Sequence, residues 1–190
     1  MKCTAIAFLC VTFSSSLLLG QTKSDANVRE VRAANGARAI VVAAGKARMV
    51  SHNESRIDIY TAKSDKVCSL DMSSDDGEHG YAVAKAAWTP DGDYFVYSLQ
   101  NSGGHAPWHT PTLFVSMNGT REICLLDSFL DNPGITTDNF RLTAPDSVTT
   151  RVYGAKSDVT VSLSRITQAP VNGRSRCVRC EMAIPVKFLP

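Results

Sequence analysis

Beyond residue 20 the chain has no apolar run of membrane-spanning length, no Gly-rich phosphate loop, no Gly-x-Ser-x-Gly element and no block of like charge. Each absence removes a class of function. Crossing hydrocarbon takes about 20 mostly apolar residues, so no integral membrane segment is expected in the mature chain. The 20 Lys and Arg against 18 Asp and Glu leave a formal net charge of +2. Basic residues cluster only around Arg174, Arg176 and Arg179, which is no field for nucleic acid. Without a phosphate loop or a nucleophile elbow there is no signature of a nucleotide-binding enzyme or a serine hydrolase. Ser102 near His105 is too common a pairing to define a triad. Sustained helical periodicity is missing as well, and only residues 27–38 have a helical flavour.

What the N-terminus does have is a charged start at Met1-Lys2, an uncharged stretch from Ala5 to Leu19, and small Gly20 before polar Gln21. These are the parts of a secretory signal peptide. Thr12 and Ser14-Ser15-Ser16 dilute a run already too short to stay in a membrane, and bulky Leu9 before Cys10 does not suit a lipid anchor. Residues 1–20 are therefore expected to be a signal peptide, and the mature protein to be periplasmic or secreted. Residues 21–37 read as an N-terminal linker or short helix, and 38–190 as a single all-β domain. Export also changes the cysteine count. Cys3 and Cys10 leave, and Cys68, Cys124, Cys177 and Cys180 remain. Four thiols in an oxidising compartment suggest disulfides, with three possible pairings.

Short β-branched and aromatic runs recur at 39–42, 57–60, 94–97, 112–115 and 159–163. Turn formers bound them at Pro90-Asp91-Gly92, Asn118-Gly119 and Asn132-Pro133-Gly134, the pattern of an all-β domain. Two stretches match in order. Ile57 to Thr61 followed by Val67 to Asp71 parallels Thr112 to Ser116 followed by Ile123 to Asp127, with Cys68 and Cys124 standing 56 residues apart. Matched order at a fixed spacing suggests stacked sheets, with residues 147–154 and 158–166 as a looser third unit.

Trp88-Thr89-Pro90-Asp91-Gly92-Asp93-Tyr94-Phe95-Val96-Tyr97 resembles the blade motif of the WD40-like, or TolB-like, β-propellers. There an aromatic strand end, a Ser/Thr-Pro-Asp-Gly turn and an apolar strand recur in each blade. The resemblance implies propeller-like stacked antiparallel sheets. Blades run to about 40–50 residues and closed rings need at least about four, whereas about three units fit this chain. A partial or open set is expected, possible completion being by homo-oligomerisation, with a β-sandwich as the alternative fold.

Two places carry candidate chemistry. The Gly/Pro-framed loop 102–111 holds His105, Trp108 and His109, and the polar loop 75–80 holds Asp76, Glu78 and His79. Loops on a β-scaffold are where binding residues collect. If the two converge, they bind a protein or small-molecule ligand. In the same case His79, His105 and His109 give three imidazoles for a catalytic zinc, with Asp76 or Glu78 as a further ligand or base. The plainer alternative is that Trp108 packs over the sheet end while the histidines bond loop carbonyls. The other place is Cys177-Val178-Arg179-Cys180. It has redox-dithiol spacing but lacks the α/β setting of such dithiols, so a structural disulfide within the motif is preferred. If the repeat holds, equivalent strands of adjacent sheets lie beyond the roughly 7 Å Cα limit for a bridge. Cys68 and Cys124 are then not joined and remain buried free thiols. The leading expectation is an exported, non-catalytic, cofactor-free binding or scaffolding protein. The alternatives are a metal-dependent hydrolase using the loop histidines and a thiol-disulfide protein using Cys177 and Cys180.

Overall fold

The structure is a computed structural model and describes residues 28–44, 54–103, 108–119, 121–130, 134–168 and 177–180. The expected signal peptide and His105 lie outside these residues. Among the described residues three antiparallel sheets account for the strands. β1 (Val28–Arg32), β2 (Arg38–Ala43), β3 (Ser55–Tyr60) and β4 (Lys66–Asp71) form a meander in chain order. β5 (Tyr81–Trp88), β6 (Tyr94–Asn101), β7 (Thr112–Ser116) and β8 (Glu122–Leu125) form a second meander. The third sheet comprises β9 (Arg141–Thr143), β10 (Ser147–Thr150) and β11 (Val159–Ser162). The last described strand, β12 (Cys177–Arg179), returns to the second sheet and lies beside β8. Helical structure among the described residues is one 3-10 turn, Leu126–Phe129, and one short helix, α1 (Leu163–Gln168). No helix among them is long and apolar enough to cross a membrane.

The sheets stack as layers because the second one is apolar on both faces. Phe95, Tyr97, Leu99, Leu113, Val115 and Ile123 pack with Ala39, Ile57, Ile59, Cys68 and Leu70 of the first sheet. Their strand neighbours Tyr94, Val96, Phe114, Cys124 and Leu126 pack with Phe140, Val148, Val152 and Leu163 on the other side. The two-residue alternation of a strand thus sorts one sequence into two cores. It also explains why 94–99 and 112–116 contain no charge: a strand covered on both faces has no polar side to show. Each fully buried large side chain contributes roughly 1.5–3 kcal/mol.

The outer faces end the stack. On the first sheet Asp58 bonds Lys66 Nζ (2.8 Å), Arg56 (3.4 Å) and the Ser69 hydroxyl (2.6 Å). Burial pushes the Asp58 carboxyl up, but the Lys66 and Ser69 hydrogen bonds and the Arg56 charge outweigh it and hold it below its ordinary value. Glu30 pairs with Arg32 at 2.9 Å and Arg38 at 3.8 Å on the same sheet. On the third sheet Arg141, Thr149 and Thr160 form one cross-strand row on the side opposite core residue Val148.

The all-β expectation of stacked antiparallel sheets describes this chain. The reading of 21–37 needs correction where it is described: residues 28–32 are strand β1, not linker or helix, so the folded domain starts before residue 38. The segment Val28-Arg29-Glu30-Val31-Arg32 pairs in register with β2. Asn35-Gly36 makes the connecting turn, with Gly36 at φ +89°. The Asn35 side chain also reaches the neighbouring turn, donating to Gly92 O at 3.2 Å. That neighbouring turn is the Thr89-Pro90-Asp91-Gly92 element. Gly92 sits at φ +79°, the Thr89 hydroxyl accepts Tyr94 N–H at 3.0 Å, and Asp91 Oδ1 accepts Asp93 N–H at 3.0 Å. Trp88 before it donates its indole N–H to Val31 O at 2.9 Å, tying the second sheet to β1.

Candidate functional site

The 72–80 loop is organised by a residue that is not among the expected site residues, Glu54. It enters β3 almost fully buried. Its Oε2 accepts Ser74 N–H (2.8 Å), and its Oε1 accepts Gly80 N–H (2.8 Å) and the hydroxyls of Ser74 (2.6 Å) and Ser102 (2.9 Å). A buried carboxylate needs such donors to offset its desolvation. Gly80 is required by this packing, because a Cβ there would overlap Glu54 Oε1 and lie 2.6 Å from Met72 O. Gly80 O also accepts Ser102 N–H at 2.9 Å. The bases of the 75–80 and 101–103 segments therefore converge on one carboxylate.

At the tip of that loop Asp76 Oδ1 accepts the N–H groups of Glu78 (2.9 Å) and His79 (3.1 Å). Its Oδ2 lies 2.5 Å from His79 Nδ1. The Glu78 amide first, then the His79 ring and the Ser74 hydroxyl, hold the Asp76 carboxyl well below the usual carboxylate range. The Asp76–His79 pair is exposed, at 52% and 65% of the side-chain surfaces. It shapes the loop and shows an acidic tip to solvent.

His109 is placed differently. Its Nε2 meets Asp127 Oδ1 at 2.9 Å with only 17% of the side chain exposed. Asp127 lies in the 3-10 turn after β8, and its carboxylate also accepts Ile135 N–H (2.8 Å) and Thr112 N–H (3.1 Å). Gly134, at φ +88°, passes so close to the imidazole that a Cβ would fall 2.9 Å from His109 Cδ2. The arrangement fixes the start of β7 against the 134–135 segment. Trp108 stacks on this supported imidazole, ring centroids 5.7 Å apart and planes 25° apart, and remains 59% exposed.

His79 and His109 thus serve two different carboxylates. His105, the third imidazole of the zinc expectation, lies outside the described residues. Among the described residues no group of three or more His, Cys, Asp or Glu side chains is arranged to hold a metal ion. Two clefts lie elsewhere. One of 440 Å³ is walled by Asp91, Asp93, Glu122 and Asp146, and one of 310 Å³ sits on the third sheet.

The cysteine expectations are corrected. Cys177 and Cys180 are both bridged, but not to each other. Cys177 joins Cys124, Cα–Cα 4.3 Å, and Cys180 joins Cys68, Cα–Cα 5.5 Å. Cys68 and Cys124 are accordingly not free thiols, although, as expected, they do not bridge one another. The reason is strand geometry. Positions three apart along an extended segment point to opposite faces. Cys177 faces the core between the second and third sheets, and Cys180 the core between the first and second. Cys177 also stands directly across from Cys124 in the β8–β12 register. One bridge on each face pins the last described strand.

Of the six candidate loop residues, the structure puts Asp76, Glu78 and His79 in one tip and Trp108 and His109 on a separate support. Glu54, Asp127 and Gly80 carry the supporting hydrogen bonds and close contacts; in the sequence Gly80 closes the 75–80 loop and Asp127 ends the second matched stretch, while Glu54 falls in neither. No protein-family model, curated protein or solved structure matches the chain.

Proposed function

We propose that the chain is an exported, non-catalytic binding or scaffolding protein with a propeller-like set of sheets, and that Trp108 is the anchor of its partner surface. The observation that carries this reading is the exposure of Trp108 on a rigid base: 59% of it is open while the imidazole beneath is held by a carboxylate bonded to two backbone amides. An indole kept in solvent gives up its burial energy, and pre-positioned aromatic side chains are what binding hot spots use. The Asp76 and Asp127 carboxylates are each spent on two loop amides and one imidazole, which supports binding over hydrolysis. Two interior disulfides suit an oxidising compartment. Two consecutive four-stranded meanders, with Cys68 and Cys124 each on a fourth strand, favour the blade reading.

A photo-crosslinking residue placed at position 110, two residues from an intact Trp108, tests this with the exported protein in extracts of its own cells. A discrete adduct is expected, competed by excess unlabelled protein and not by the Trp108→Ala variant, which should fold normally. Absence of any competed adduct would refute the anchor. Metal-dependent hydrolysis that His109→Ala abolishes and Trp108→Ala leaves intact would replace binding with catalysis.

A further inference from the structure

Arg141 opens β9, Arg151 follows β10 and Asp158 precedes β11. Antiparallel pairing brings the three to one corner of the third sheet. Asp158 Oδ2 accepts Arg141 Nη2–H at 2.8 Å, and Oδ1 accepts Arg151 Nε–H at 2.7 Å. One carboxylate therefore sets two guanidiniums side by side. Arg151 first and then Arg141 hold it below its ordinary pKa, so it stays charged and the trio carries a net single positive charge. A guanidinium has five N–H donors. Each of these uses one, and among the described residues neither guanidinium meets a second side-chain acceptor.

The trio borders the 310 Å³ cleft, whose other walls are Thr136, Thr137, Asn139, Thr149 and Thr150. Every lining side chain is polar; the Thr136 hydroxyl gives its proton to Arg151 O at 3.4 Å, and the two guanidiniums hold the spare N–H donors. Asn139 Oδ1 is taken by Lys85 Nζ at 3.0 Å, which leaves the Asn139 amide N–H groups to give. Thr150 is buried and its Oγ1 has no hydrogen-bond partner. The lining carboxylate already accepts on both oxygens. A cationic, donor-rich cleft near the lower end of ligand-site volumes matches an oxyanion, for which guanidinium N–H groups supply charge-assisted bonds.

We propose that this corner of the third sheet binds a small solute bearing one oxyanion, a phosphate, sulfate or carboxylate, between Arg141 and Arg151. The site is separate from the Trp108 surface and does not depend on it. The test is an NMR titration of ¹⁵N-labelled mature protein, with its disulfides intact, at constant ionic strength. The probes are sodium phosphate, sodium sulfate and sodium glucuronate, with sodium chloride as control. Saturable shifts are expected at the Arg141 and Arg151 side-chain N–H groups and at the amides of 136–151. The probe that saturates identifies the group, tetrahedral anion or sugar acid. Arg141→Gln and Arg151→Gln should each bind at least about tenfold more weakly, the loss expected for a charge-assisted bond. Lys66→Gln on the first sheet should bind like the parent. Both arginines are surface-exposed, so spectra of the Gln variants should stay folded. Shifts that never saturate, that chloride reproduces, or that survive unchanged in both Gln variants would overturn the site.

Discussion

Removing either disulfide should lower stability by several kcal/mol, and the longer-range bridge should cost more. Cys68–Cys180 closes a separation of 112 residues and Cys124–Cys177 one of 53. The entropy a cross-link takes from the unfolded chain grows with the logarithm of loop length, giving about 5 kcal/mol for the first and about 4 for the second. The two are not additive. Cys177 and Cys180 are three positions apart in sequence, so once one bridge exists the other subdivides a loop already closed and adds less. Connectivity is checked first, by trypsin digestion of unfolded, unreduced protein. Cleavage after Arg176 and Arg179 puts the two cysteines on separate peptides, 177–179 and 180–187. The structure requires 177–179 to be linked to 122–141 and 180–187 to 67–85. Urea unfolding of Cys68→Ala/Cys180→Ala and of Cys124→Ala/Cys177→Ala then gives the cost. The slope m should rise in both, because the freed denatured chain exposes more surface. The two short peptides joined to each other, or a loss below about 1 kcal/mol in both double variants, would refute the reasoning.

Asp127→Ala should destabilise the fold by about 2–5 kcal/mol, since it strips Thr112 N–H, Ile135 N–H and His109 of their acceptor in a nearly closed site; chemical denaturation measures it, and a change under about 0.5 kcal/mol would remove Asp127 from its supporting role. Stability should also fall in acid. Asp58, Asp146 and Asp158 all have folded pKa values depressed below the ordinary carboxylate value of about 3.9. Their contribution is fully present above that value and is lost as pH drops through it toward the folded values. Asp58→Asn should therefore be less stable than the parent at neutral pH and show a flatter decline below about pH 5. Parallel melting curves for the two proteins across that range would contradict the Lys66–Asp58–Arg56 assignment.

What the sequence discloses and what it hides divide along one physical line, the distance between partners. Strand identity is local. Tyr94-Phe95-Val96-Tyr97 and Thr112-Leu113-Phe114-Val115 announce themselves by β-branched and aromatic content, and the turn at Thr89-Pro90-Asp91-Gly92 by the residues that its dihedrals demand. β1 was also within reach, since Asn35-Gly36 between Val31 and Ile40 is a hairpin signal that the alanines around it obscured. Glu54 was not. Its donors lie 20, 26 and 48 positions away, and a lone glutamate before a strand reads as a solvated charge. The cysteines fall between these cases. Parity alone separates Cys177 from Cys180, because an extended Cys-x-x-Cys cannot close on itself without leaving the strand. Parity likewise puts Cys124 on the face opposite Ile123, among Phe114 and Leu126. Choosing which cysteine each one meets further requires knowing that β12 pairs with β8 of the second sheet. That pairing is a sheet-order fact that no spacing encodes, and it converts a motif with redox spacing into two anchors on opposite faces of one short strand.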